Sequence, residues 1–224
     1  MVLEYAQGKP GEVPAIFKAV LLAIRERLEH HAISYPVPNR VSLKHAQLSV
    51  AEFLGERSGG LRLQTIAVAL LRAVGKQLGV FASVESADIN AADSSTSSAA
   101  DLECRDESGS VVLAVEVKDR KLTLRHAQDK LPGVREKGIR ELLFLVQGGV
   151  ESADANAVES LVDHQFATGQ NIYVCDFNRF AESCLILLGE SGRRLFMKYI
   201  GEQLEARRAD FAHRKAWADI LHKI

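Results

Sequence analysis

Apolar side chains recur every three or four positions through the first 79 residues. Ile16, Phe17, Val20, Leu21, Ile24 and Leu28 predict an amphipathic helix over 15–28, closed by the breaker Tyr35-Pro36-Val37-Pro38. Leu43, Leu48, Val50 and Phe53 predict a second helix that stops at Ser58-Gly59-Gly60. Leu63, Ile66, Leu70, Val74 and Leu78 predict a third. The period then shortens to two. Short β-like runs fall at Val80–Val84, Ala100–Arg105 and Val111–Lys118, with a Ser/Ala/Asp-rich loop over 91–99. A basic helix over 122–137, a hydrophobic strand over 142–147, a helix over 153–167, a strand over 172–175 and two C-terminal helices complete the series. Strands in succession followed by strands alternating with helices predict an α/β fold, a central mixed sheet flanked by helices, with a helical N-terminal portion. The expected organisation is an N-terminal helical segment over 1–40, a core over 41–190 and a C-terminal helical extension over 191–224, together one structural domain.

The run from Asp101 to Lys118 carries the most information. If Ser108-Gly109 is a two-residue hairpin loop, Glu107 pairs with Ser110 and Asp101 falls opposite Glu116. Opposed residues of an antiparallel pair project to one face, so both carboxylates and Lys118 share that face. Leu102, Cys104, Val111, Leu113, Val115 and Val117 then share the other, which predicts one face that packs and one that works.

Two adjacent carboxylates raise each other's pKa unless a cation lies between them, and hard oxygen ligands suit Mg²⁺. An ammonium beside them, Lys118, orients or helps deprotonate a metal-bound water for in-line attack on phosphorus. That chemistry is phosphodiester hydrolysis. The same three residues also suit solvent-facing strand positions with Asp101 as a strand-start cap, and a Glu-x-Lys tripeptide by itself does not choose between the two.

Composition narrows the setting. With 224 residues, 47% hydrophobic and 25% charged, the chain has the make-up of a globular protein. A net charge of −1 gives no global basic excess, so an anionic partner has to be met by local charge. From Lys118 to Arg140 there are eight Lys/Arg against three acids, and Arg120, Lys121 and Arg125 are the expected phosphate contacts. A second basic stretch, Arg193 to Ile224, has eight against four and suits a solvated helix face equally well. The odd trio Cys104, Cys175 and Cys184 forms no CxxC and speaks against a disulfide framework or zinc site. His30-His31, Asp163-His164 and His213 lack partners at metal-ligand spacing and read as ordinary surface or helix residues. Neither an apolar signal core nor a membrane-length apolar run occurs, which predicts a cytoplasmic protein. Gly148-Gly149 belongs to no nucleotide-binding motif.

The arrangement Asp101…Glu116-Val117-Lys118 on a hairpin, after a helix and strand and before a basic helix and strand, resembles the PD-(D/E)xK nuclease superfamily. The segments FLGERSGGLRLQ, INAADSSTSSAADLEC, AVEVKDRKLTL and ELLFLVQGGV, in that order, resemble the SacI-type type II restriction endonucleases over roughly Val41 to Asp176. The resemblance implies a restriction-endonuclease-like core in which Asp101, Glu116 and the carbonyl of Val117 bind the metal and Lys118 serves the water. Ala100 stands where the superfamily's name places proline. It further implies Mg²⁺ as cofactor, double-stranded DNA as substrate and a cognate DNA methyltransferase as genomic neighbour. Cutting both strands of a two-fold symmetric site implies a homodimer. Glu56, beside the Ser58-Gly59-Gly60 turn, is either a third carboxylate near the metal, as in some nucleases of the superfamily, or a helix-terminal surface acid. Glu103, on the working face opposite Ala114, is either a supporting group or a plain strand acid. Asp88, Asp93 and Ser94–Ser98 form a loop that either touches DNA backbone or is a plain connection. A structure-selective repair or recombination nuclease, and a DNA-binding or assembly module without cutting, are the alternatives.

Overall fold

The computed structural model describes residues 7–30, 33–86 and 98–224. It divides into two compact units, residues 1–34 and residues 35–224. The first carries a 3₁₀ turn, Pro10–Glu12, and helix α1, Val13–His30. All other elements belong to the second: α2 (Leu43–Leu54), α3 (Leu61–Leu78), β1 (Ser83–Ser86), β2 (Leu102–Arg105), β3 (Val111–Lys118), α4 (Leu124–Glu136), β4 (Glu141–Val146), α5 (Ala155–Ala167), β5 (Asn171–Asp176), α6 (Phe177–Leu187), α7 (Gly189–Ala206) and α8 (Phe211–Leu221). Three helices follow the last strand where the periodicity predicts two. Asp176 accepts from the N–H groups of Asn178 and Arg179 and starts α6 directly on β5, and a break at Leu188–Gly189 starts α7.

The five strands lie in sequence order, with β1, β2 and β3 antiparallel and β3, β4 and β5 parallel. The two parallel steps need crossovers, and α4 and α5 supply them on one face of the sheet. Ala127, Leu131 and Val134 of α4 and Val158 of α5 pack there on Ala114, Leu142, Phe144, Val146 and Ile172. On the other face α2, α3, α6, α7 and α8 bury Leu102, Cys104, Val115, Leu143 and Leu145. Strand β4, Glu-Leu-Leu-Phe-Leu-Val, is buried from its second residue on, as a strand covered from both sides must be. Among the described residues no helix is long and apolar enough to cross a membrane.

Coverage of both faces corrects the expectation of one packed and one working face. The polar face of the hairpin lies under α4, and Glu103 and Glu116 are buried rather than solvated. A second correction concerns the turn. Asp106 N–H donates to Ser110 C=O at 3.0 Å, so the loop has three residues, with Gly109 left-handed at φ 83°. The cause is the Asp106 carboxylate, which accepts from the N–H groups of Ser108 and Ser110 at 2.9 and 3.0 Å and from the Ser108 hydroxyl at 2.6 Å.

A one-residue change at the turn reverses every face beyond it, yet Leu102 still pairs with Val115 and Glu103 with Ala114. A β-bulge restores the phase, because Arg105 pairs with Val111 and Cys104 with Leu113, leaving Val112 as the extra residue. Val111 therefore packs with the α4–α5 side, against expectation, and Val112 joins Leu113 on the α3 side.

Candidate functional site

One step beyond the Leu102–Val115 pair, Asp101 meets β3. Its Oδ2 accepts the Val117 N–H at 2.9 Å, which fixes the carboxylate beside the strand position that also carries Glu116. Burial, and next the charge of Glu116, push the Asp101 carboxyl above the usual carboxylate range, against the Val117 hydrogen bond and the ammoniums of Lys118 and Lys130. The two acids are thus close enough to repel.

Glu116 is 3% exposed, and such a carboxylate keeps its charge only with cations at hand. Lys118 Nζ stands 2.7 Å from Oε1 and Lys130 Nζ 2.7 Å from Oε2. The second contact is an ion pair without hydrogen-bond geometry, and Oε2 is buried with no hydrogen-bond partner among the described residues. Two acids and two ammoniums leave this cluster formally neutral.

Lys130 is the residue that the sequence reading missed at this centre; it figured only in the count of basic residues. A signal was present. On α4 the inward stripe runs Ala127, Leu131, Val134, and position 130 belongs to it by helical spacing. A lysine inside an apolar stripe calls for an acid on the facing strand. Lys137, three residues past Val134, repeats the device, with Nζ 3.6 Å from Glu103 Oε1.

Glu103 is 4% exposed and holds the entry to Asp101 in place. Its Oε1 accepts from the Ala99 N–H at 2.9 Å and the Ser98 hydroxyl at 3.0 Å, and its Oε2 meets Arg105 at 2.5 Å. Burial alone would raise its carboxyl; the Ala99 and Ser98 hydrogen bonds, with Lys137 and Arg105, outweigh burial and hold it below the usual range. It does not join the acidic pair; Ser98 and Ala99 tie it to the segment that presents Asp101, and Arg105 and Lys137 offset its charge.

Glu56 is engaged by an arginine. Its carboxylate is 75% exposed and pairs with Arg62 at 2.6 Å, at the mouth of a cavity of about 430 Å³ lined by Gly59, Gly60, Asp119 and Gln147 among others. Arg62 itself is buried, donates to Phe53 C=O at 2.7 Å and reaches His213 Nδ1 at 3.1 Å. His213, read as an ordinary helix residue, is thus an acceptor for a buried guanidinium. Among the described residues no group of three His, Cys, Asp or Glu gathers to hold a metal, so Asp101 and Glu116 stand there without a third such side chain.

Arg120, Lys121 and Arg125 are exposed just beyond the C-terminal end of β3. Lys121 stands 3.8 Å from Glu151 and Arg125 3.7 Å from Asp129, surface pairs that water screens and a phosphate can displace. Much of the second basic stretch is engaged internally: Arg193 donates to Val41 and Leu185 carbonyls, Arg207 to Gln64, and Arg214, Lys215 and Lys223 pair with Glu205, Asp219 and Glu52. Asp88, Asp93, Ser94–Ser97, His31 and the side chain of His30 lie outside the described residues.

Like-charge repulsion makes one outcome testable by stability. A carboxyl whose folded pKa lies above its unfolded value costs stability as pH rises through that interval, and the cost is fully present above the folded value. Asp101→Asn removes it while its amide oxygen still accepts the Val117 N–H. Urea unfolding at pH 7 is expected to show the variant more stable than the parent by up to about 1 kcal/mol, the gain shrinking as pH falls toward about 4.

The family model of the SacI restriction endonuclease C-terminal domain matches residues 40–149. That span carries α2, α3, β1 to β4 and α4, hence both acids, Lys118 and Lys130. Among curated proteins none matches the chain.

Proposed function

From the premise that the chain belongs, over residues 40–149, to the SacI-type restriction endonuclease family, we propose that it is a Mg²⁺-dependent type II DNA endonuclease. The observation that carries the proposal is the buried Glu116, held beside Asp101 with Lys118 Nζ at 2.7 Å. A buried carboxylate beside a second acid is costly to keep, and Oε2, paired with the Lys130 ammonium but without a hydrogen bond among the described residues, is an acceptor suited to a cation. Asp101, Glu116 and the Val117 carbonyl would hold Mg²⁺, whose charge stabilises that developing on the phosphate oxygens. Lys118 orients the attacking water, and the positive charge at its Nζ helps that water lose its proton to solvent. Arg120, Lys121 and Arg125 hold the flanking phosphates and set the duplex in register without reading bases.

A double-strand cut at a two-fold site requires two copies, so the working form is a homodimer, with a methyltransferase of matching specificity encoded nearby. The test is plasmid incubation with purified protein. In Mg²⁺ we expect discrete linear fragments, none in EDTA, and recovery when Mg²⁺ is restored in excess. Nicking confined to branched substrates would replace this proposal with a structure-selective nuclease. A salt-sensitive gel shift with no cutting would replace it with a binding module.

A further inference from the structure

Lys118 accounts for one oxygen of Glu116 and for the attacking water, which leaves Lys130 without a task. Its position is not that of a surface lysine. Ala127, Leu131 and Val134 flank it on the stripe that α4 turns to the sheet, and its side chain is only 27% exposed. Tying α4 to the sheet is done by that apolar stripe and by the caps at its start, where Thr123 accepts the His126 N–H and Asp154 accepts the Leu124 N–H. The ammonium stands 2.7 Å from Glu116 Oε2, a buried oxygen with no hydrogen-bond partner among the described residues. It also lowers the cost of charge on Asp101, from α4 as Lys118 does from β3.

Resting on the nuclease reading, we propose that Lys130 is a built-in competitor of the divalent ion: its ammonium neutralises Glu116 at the oxygen a metal would take, and it leaves that oxygen when the ion binds. A compact ammonium and a hard divalent ion seek the same carboxylate oxygen, and the doubly charged species wins once its concentration is sufficient. The device offsets the charge of two neighbouring acids while the site holds no metal, and it sets the threshold of ion concentration at which the site loads. Lys118 cannot do this, since it belongs to the same strand as Glu116 and stands at the other oxygen, Oε1. Lys130 is therefore a positioning residue, acting on the substrate only through Glu116.

The test is Mn²⁺ titration of the full chain without DNA, followed by calorimetry, for the parent, Lys130→Met, Lys130→Arg and Glu116→Gln. Removing the competitor is expected to tighten Mn²⁺ binding about tenfold in Lys130→Met, and Lys130→Arg, which keeps the charge, to stay close to the parent. A merely structural lysine would give unchanged or weaker binding in a Lys130→Met protein that is folded by circular dichroism, and that result overturns the proposal. Should Lys130→Met fail to fold, Lys130→Gln is titrated in its place with the same two outcomes. If the parent binds Mn²⁺ and Glu116→Gln does not, the metal site stands whatever Lys130 does. If neither the parent nor any Lys130 variant binds at millimolar Mn²⁺, the nuclease reading falls and this inference with it.

Discussion

Lys118→Ala is expected to lower the rate of plasmid cleavage by about 10²–10⁴, the usual worth of a positioned proton-transfer group, with DNA affinity at fixed salt changed only a few-fold. Lys118 Nζ is held within 2.7 Å of Glu116 Oε1 on the last residue of β3, so its place is set by a strand and a carboxylate rather than by a loop. Removing it leaves Lys130 to neutralise Glu116, which keeps the acid charged and the fold intact. Loss of cutting would then report chemistry and not collapse, a distinction a thermal melt of the variant checks. Lys118→Arg keeps the charge but not the compact ammonium and should recover little activity. Single-turnover cleavage with saturating protein reads the chemical step directly, and full activity in Lys118→Ala would refute the assigned role.

Glu103→Ala carries the largest expected effect on stability. A buried carboxylate with a main-chain N–H, a hydroxyl and an arginine as direct partners, and Lys137 3.6 Å away, cannot be deleted without stranding them. Cutting one member from a buried charged network costs about 3–5 kcal/mol. Arg105 and Lys137 are partly exposed and can turn to water, so a loss of about 2–3 kcal/mol is expected in urea unfolding at pH 7. The pH dependence fixes the cause. Because Glu103 titrates below its unfolded value, its contribution is fully present above the ordinary glutamate range and is lost as pH falls through the depressed folded value. Parent and variant should therefore converge in acid and diverge above about pH 5. Since Ser98 and Ala99 lead into Asp101, the variant should also cut more slowly than its stability loss explains.

These two residues show how unevenly the site could be read along the chain. Asp101, Glu116 and Lys118 were legible because strand alternation and a tight turn are local signals, and they give the pairing of positions 15 apart. Even so the expected register held through two departures that cancel. The Asp106 carboxylate draws the turn back by one residue, and the bulge at Val112 restores the phase before Glu103. A competition between one aspartate's hydrogen bonds and a Ser-Gly dipeptide is a matter of energies that residue type alone does not settle. Glu103 was seen to share the face of Glu116, but its role was open, since alternation tells which face a side chain takes and not what covers it.

What the chain by itself determined is therefore the set of elements, the mixed sheet, and a pair of acids with a lysine on one hairpin face, all consequences of periods of two and 3.6. What only the tertiary structure decided is that α4 covers that face, bringing Lys130 to Glu116 and Lys137 to Glu103, while Glu56 is drawn to Arg62 on the lining of a cavity that Asp119 and Gln147 also line. The physical reason is the crossover that a parallel β3–β4 pair requires: it places a helix over the hairpin by packing of apolar surface, and the charges that meet beneath it belong to segments whose separation along the chain carries no period.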